Sequence, residues 1–367
     1  MTCEVSTKKF IDLILKAEKV TSKKSALPIL SNIYLKIDPK NILVRATNLE
    51  TGVEGMLSVI NSTMSEEVEL VIDAQTLKNF LMQVKGSKNT TLTFNDGSIV
   101  FDSNQAQATI AVAEADDFPS LPEIDSDEIE TLQLSAEKMF SGIQSVAYAS
   151  ATSTMKPELS SVYIHSHNNE LYFVSTDTFR LAEKIVGPYD GSDTISLLIP
   201  ATNAIELTRI LDDEGELELE FSKNLLQIKQ ASYRVTVRVV DGNFPDYRQI
   251  IPKEHDTEAK VLFYDYEQAL RLSSIFADKY FQVTMFFESD TITIESKGTE
   301  QGKSKTSMPA ELTGDSLESR FNQRYLSDPL QTLRGDNLEL KLSPGKPMVI
   351  ENPSDNTFRY LVMPMHQ

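Results

Sequence analysis

Cysteine is almost absent from this sequence. Cys3 is the only one in 367 residues, so no internal disulfide can form, and with four scattered histidines no Cys/His metal framework can be assembled. Cys3 also lies too near the chain start to suggest a catalytic thiol. No run of about 18 apolar residues occurs, which excludes an obvious membrane-crossing helix. The start MTCEVSTKKF has neither the apolar core nor the small-residue cleavage site of a secretory signal, so the expected location is the cytoplasm. Equally missing are a Gly-rich phosphate loop, GxSxG and HExxH. Asp177 and Arg180 could mimic a catalytic carboxylate with its orienting cation, but general acid–base work needs a second group converging on one substrate atom, and no second motif supplies it. His165 and His167 alternate within SVYIHSH, a pattern that places both on one strand face and fits a solvated or interfacial pair better than a metal site. No cofactor and no enzymatic activity are expected.

Positive charge is the other shortage. Lys and Arg number 35 against 54 Asp and Glu, a formal charge of −19. Taken alone, that speaks against DNA, because affinity for a duplex comes from cations that neutralise phosphates. The excess is local, however. Glu114 to Glu130 and Asp212 to Glu220 together hold about fourteen carboxylates and no Lys or Arg, roughly three-quarters of the imbalance. Residues 8–24 run the other way, with Lys8, Lys9, Lys16, Lys19, Lys23 and Lys24 against Asp12 and Glu18. The bland interpretation of that segment is a solvated helix face.

What the sequence does contain is a repeat. Apolar residues at i, i+3, i+4 and i+7 predict helices beginning near Ser6, Asp73, Ser135, Ala201, Asp265 and Asn322, with starts roughly 57 to 67 residues apart. Several open on Ser, Asp or Asn, side chains suited to accept from an orphan helix N–H. Pro329 should kink or shorten the sixth. Between helices come alternating or β-branched stretches such as NIYLKI, ILVRAT, SVYIHSH, ELYFVST, LLQIKQ and TITIES, which predict antiparallel strands. Each half-repeat is thus one helix on about four strands, and two half-repeats make an α+β domain. Boundaries fall where Pro and acidic residues cluster, in DDFPSLPEIDSDE and NFPDYRQIIPKEHD. Three tandem domains result, at 1–125, 126–253 and 254–367.

On ALPILSNIYLKI, ADDFPSL, STDTFRLAE, DGNFPDYRQIIP and YLVMPM, in that order along the chain, the sequence resembles the bacterial DNA sliding clamp, the beta subunit of DNA polymerase III. Each motif is weak alone. Five in order on a six-fold helix and strand repeat are specific. The resemblance implies clamp domains of two helices packed on antiparallel sheets, and a head-to-tail homodimeric ring that encircles double-stranded DNA without reading its sequence. A ring holds DNA by topology, so a few inner cations suffice and an acidic exterior is tolerable. Lys24 matches a basic position that touches the duplex in the family, and Lys156 of TSTMKPEL is a further candidate. That loop lacks the family's paired tyrosines, and Thr202 replaces a common lysine. The ring joint would set the edge strand at Ala108 and Ile110 against the helix end at Ser274 and Ile275 of the partner.

The resemblance also implies a groove between the second and third domains that captures hydrophobic-tipped peptides of the replicative DNA polymerase alpha subunit, the clamp loader delta subunit and other clamp-binding-motif proteins. Residues matching its pattern are Leu159, Thr176, Arg180, Leu181, Pro245, Ile250, Val362, Met363, Pro364 and Met365. Asn322, Tyr325 and Pro347 correspond to its other end, and Tyr280 stands at an aromatic position. Flexible methionine thioethers suit a socket with several partners. The departures are Thr178 and Phe179, where many relatives have Gly and His, Gln249, where an arginine is common, and the final pair His366 and Gln367. A repeat scaffold that binds proteins without encircling DNA is the competing interpretation.

Overall fold

A computed structural model describes the chain except at residues 23–25, 105, 125–128, 190, 192–194, 299–301 and 366–367. Lys24, His366 and Gln367 therefore lie outside the described residues. Helices occur at all six expected places: α1 (Thr7–Lys19), α2 (Ala74–Gln83), α3 (Ala136–Val146), α4 (Ala201–Ile210), α5 (Phe263–Ile275) and α6 (Gln323–Ser327). The spacing explains α1, whose Phe10, Leu13, Ile14 and Ala17 form one buried stripe. Pro329 has the expected effect, since α6 gives way after one turn to a 3-10 turn over Asp328–Gln331. Asp73 accepts from Thr76 N at 2.8 Å and Asn322 from Arg324 N at 3.0 Å, so both cap as anticipated. Ser6 occupies the cap position of α1 without a side-chain bond, and α5 starts two residues before Asp265 behind an uncapped Leu262.

Two compact units emerge, each described by itself. The first joins Met1–Glu137 with Ile205–Val239 and holds thirteen described strands in one antiparallel sheet. Its two halves are sewn together where Tyr233–Val237 pairs with Gly55–Thr51. At that seam the helix stands very close to the sheet. A Cβ on Gly55 would fall 2.5 Å from Leu13 Cδ1 and 2.9 Å from Tyr233 Cβ, so only glycine fits.

Within this unit the lysine-rich segment is not simply a solvated face. Lys16 is buried, pairs with Asp212 at 2.5 Å and Asp12 at 3.4 Å, and lies over the Tyr233 ring. Lys19 donates to the Arg209 carbonyl in the last turn of α4, where cations favourably meet the helix dipole. Lys8 and Lys9 remain exposed.

The second unit joins Lys138–Ala204 with Val240–Gln367, and its twelve described strands form another antiparallel sheet. The seam here is Arg180–Lys184 against Val362–Phe358. Sequence patterning missed the strand Gly302–Gly314, which is mostly polar and carries Pro309. The proline sits where pairing switches from Thr291–Gly298 to the strand Thr257–Leu262, a position where an N–H is dispensable.

Of the pair expected to be solvated or interfacial, His167 is exposed while His165 is 3% exposed and covered by another segment. Its ring stacks on Tyr172 and Tyr163, and Nε2 lies 3.0 Å from the Tyr247 hydroxyl. That hydroxyl donates to Glu183 Oε2 at 2.6 Å, and Nδ1 of His165 lies 3.4 Å from the Ser166 carbonyl. The cover is Phe244, Tyr247 and Ile251 of the segment after Val240, packed on Tyr172, Val174, Leu181 and Leu361.

Burial, reinforced by Arg248, lowers the His165 pKa to about 4. Above pH about 6.5 the imidazole is neutral in folded and unfolded chains alike. Below it the unfolded chain gains a proton that the folded one refuses until about pH 4, so stability falls on acidification across that window. The loss should total on the order of 2–3 kcal/mol. Urea midpoints measured from pH 7 to 4.5 should drop less steeply in His165→Phe than in the parent chain. Parallel slopes would contradict the assignment, and the residual slope of the variant includes His255, which burial also lowers.

Candidate peptide-binding groove

The seam of the second unit places one wall of a cavity. After the strand Glu170–Thr176 the chain reverses through Asp177, Thr178 and Phe179 before Arg180–Pro188 begins. Asp177 Oδ1 accepts from the N–H groups of Phe179 at 2.9 Å and Arg180 at 3.0 Å. Thr176 Oγ1 accepts from Thr178 N at 3.1 Å and donates to the Arg180 carbonyl at 2.6 Å. The tight turn forces Thr178 to φ +77°, a left-handed conformation that β-branched residues avoid. Phe179 is thereby pushed outward and stands 60% exposed.

The tail makes the opposite wall. Beyond the strand Asp355–Val362, Met363 N donates to the Phe179 carbonyl at 2.8 Å and Met365 N to the Arg320 carbonyl at 2.8 Å. Met-Pro-Met is thus tied at both ends by main-chain bonds. Thr178, Phe179, Asn322, Tyr325, Met363, Pro364 and Met365 enclose about 380 Å³, a volume within the range of ligand clefts. All seven were candidates from sequence. The wall is mainly apolar, so an occupant would be held by buried area, with polar contacts at Asn322 and Tyr325 fixing its orientation.

Arg180 does not line this cavity. It braces the wall from behind, through Nε to Asp177 at 3.0 Å, Nη1 to Asp328 and Nη2 to the Tyr148 carbonyl at 2.6 Å, with its guanidinium 4.4 Å from the Tyr325 ring centre. Asp177 is fully engaged in the same bracing, which leaves it no free role as a base. Thr176, Leu181 and Val362 are buried at 5%, 1% and 0% exposure, and Leu181 faces the cluster around Tyr172 and Tyr247. Leu159 is buried as well, its N–H bonded to the Lys156 carbonyl, while the Lys156 side chain is exposed. Ile250 is 48% exposed, Pro245 and Gln249 are exposed, and Gln249 donates to Asp246 at 2.7 Å. Tyr280 is exposed with its carbonyl 3.5 Å from Asn322 Nδ2, and Pro347 precedes the strand Met348–Asn352, whose Met348 pairs with Val362.

Sequence reasoning missed Tyr148, Arg320 and Asp328. Asp328 was visible only as the neighbour of a helix-shortening proline, and the carbonyls of Tyr148 and Arg320 carry no side-chain signal at all.

The proposed joint residues occupy open positions. Asp102–Ser98 pairs with Gln107–Ala111 on one side, and on the other side the strand Val68–Asp73 reaches only Val112 and Ala113, so among the described residues Ala108 and Ile110 lie on a free backbone edge. The Ile110 side chain is nevertheless buried, at 6% exposure. In the second unit, among the described residues, Gly302–Pro309 pairs only with Thr291–Gly298, leaving a second free edge that the sequence did not reveal. Ser274 and Ile275 end α5, both exposed, Ile275 at 62%.

The Thr178 strain gives a direct test. Thr178→Gly should stabilise the protein by about 1 kcal/mol, because relief of the left-handed strain exceeds the entropy glycine adds to the unfolded chain. A urea midpoint that stays level or falls would show that the turn is not strained.

Comparison with known proteins gives a consistent result. Three family models match in succession: the DNA polymerase III beta subunit N-terminal domain over residues 1–122, the central domain over 133–246 and the C-terminal domain over 248–366. The chain is 27% identical to the beta sliding clamp of Proteus mirabilis over 345 residues, 92% of each chain, and 22% identical to that of Staphylococcus aureus over 359 residues. Among solved structures, the DNA polymerase III beta subunit of Thermotoga maritima superposes with a TM-score of 0.90 at 24% identity, covering 100% of this chain and 99% of that one. The Pseudomonas aeruginosa subunit superposes at 0.91 and 20% identity, covering 100% of both. With three tandem domains matched in order along nearly its whole length, the chain belongs to the DNA polymerase III beta subunit family.

Proposed function

We propose that the chain is one protomer of a cytoplasmic, head-to-tail dimeric ring that encircles duplex DNA and acts as a processivity factor. It performs no catalysis, needs no cofactor and engages no membrane. Its three domains divide at 1–125, 126–253 and 254–367. The ring tethers the replicative polymerase alpha subunit, the clamp loader delta subunit and other peptide-bearing replication and repair proteins. The observation that carries this reading is the cavity walled by Met363–Met365 and the Thr178–Phe179 turn, an apolar cleft ready for a short hydrophobic peptide.

The two free strand edges support the joint. An unpaired edge invites aggregation, and each can be satisfied by the other across a head-to-tail contact, Gln107–Ala111 of one protomer against Gly302–Pro309 of its partner. Ile275 then supplies apolar area beside that pairing, with Ser274. Lys156 and the exposed Lys8 and Lys9 are available to face phosphates, Lys24 is assigned to the DNA by resemblance alone, and the acidic remainder discourages DNA from adhering elsewhere.

Retention on nicked circular plasmid, lost after linearisation, is the expected behaviour of a loaded ring. A protein scaffold that binds no DNA would not be retained, and a conventional DNA binder would stay on the linear form. Ile275→Asp should convert the dimer to monomer in sedimentation and abolish this retention; an unchanged dimer would refute the joint.

The groove is tested separately. Removing Met363 to Gln367 should weaken binding of a polymerase C-terminal peptide at least roughly a hundredfold in a fluorescence titration, since one wall is lost. The dimer should persist, because the strand Asp355–Val362 remains paired. Undiminished affinity would place the peptide elsewhere.

A further inference from the structure

A second cavity, of about 350 Å³, lies within the unit of Lys138–Ala204 and Val240–Gln367, away from the residues that line the first. Its wall includes His167, Tyr172, Glu183, Arg248, Lys253 and Arg359. Arg248 is the unusual member. Its guanidinium lies over the rings of Tyr172 and Tyr247, 5.3 and 5.2 Å from their centres, which fixes the plane of the fork. Nη2 is buried with no hydrogen-bond partner. Being enclosed, that atom cannot itself meet a ligand in the cavity, but the charge it shares with the rest of the guanidinium calls for a counter-ion.

The carboxylates nearby do not answer that need. Glu183 is taken by the Tyr247 hydroxyl at 2.6 Å and by Arg359 at 3.5 Å, and Arg359 also donates through Nε to Glu351 at 2.7 Å. Glu170 accepts from the Tyr172 hydroxyl at 3.0 Å. Among the described residues no carboxylate pairs with Arg248 or with the exposed Lys253. Two cations without a carboxylate partner among the described residues therefore share one cavity in a chain of net charge −19. Ile185 and Ile251 also line the cavity, beside the polar Asn168, Asn356 and Thr357, and give an apolar surface for a short carbon stem.

We propose that this cavity binds a small oxyanion, a phosphate or a carboxylate, with Arg248 as the planar donor and Lys253 as the second charge. A guanidinium fork matches two oxygens of either group, and the stacked rings hold it ready before the ligand arrives. The site shares no lining residue with the peptide groove.

Calorimetric titration of the full chain with inorganic phosphate and with succinate, at constant ionic strength, tests it. Saturable binding of at least one anion is expected. Binding of phosphate alone assigns a phosphate ligand and of succinate alone a carboxylate ligand, while mutual displacement assigns one site open to both. Arg248→Met should weaken binding roughly tenfold or more, and Lys253→Gln roughly threefold or more. Absence of saturable heat with both anions overturns the proposal, as does full affinity in Arg248→Met. Because Arg248 also packs on two rings, a misfolded variant would leave the decision to Lys253→Gln on the exposed surface, and unchanged affinity there overturns it equally.

Discussion

The antiparallel pairing of Arg180–Lys184 with Phe358–Val362 is the constraint on which the candidate groove depends. It joins a strand from the middle of the sequence to the last strand of the chain, and all that follows Val362 is placed by it. Met363 can reach the Phe179 carbonyl only because Val362 is already in register with Arg180. Arg180 then reinforces the same junction from its side chain, linking the turn at Asp177 to Asp328 and Tyr325. Main-chain bonds set the distance between the walls, and the buried guanidinium stiffens it. The first unit uses the same device where Tyr233–Val237 meets Gly55–Thr51.

Charge is distributed by the same logic. Cations inside the units serve as fasteners, as Lys16 does between Asp12 and Asp212, and Lys19 at the end of α4. These lysines subtract from the supply available to phosphates, so the basic character of residues 8–24 overstates what that segment offers to DNA. A ring tolerates such economy because topological retention does not require tight contacts. A protein that grips DNA by neutralising phosphates could not divert its lysines in this way.

Thr178 and Phe179 show how a local departure is felt structurally. The turn is closed by Asp177 and Thr176, and it imposes a left-handed conformation on whatever residue follows Asp177. Glycine would satisfy that conformation without cost. Threonine does not, and the stored strain coincides with a wall of the cavity, a common place for it. Phe179 adds an exposed aromatic face beside the two methionines.

The resemblance to the clamp family singled out the seven residues that enclose the groove, and the sequence by itself determined the six helices, most strands and the order of the motifs. Those features are local: apolar spacing, turn chemistry and proline position act within a few residues, so they are written in the order of the chain. Tertiary structure alone decided which candidates face the cavity and which stand behind it. Leu181 turns to the cluster around Tyr247, Arg180 becomes a brace, and His165 is buried under the connector after Val240. It also decided where the edges stay open, since Gly302–Pro309 is polar and became recognisable as a strand only through its neighbour Thr291–Gly298. Apart from that hairpin, these outcomes depend on pairings between residues tens to nearly two hundred positions apart, and no local pattern encodes which face of a strand a distant segment will cover.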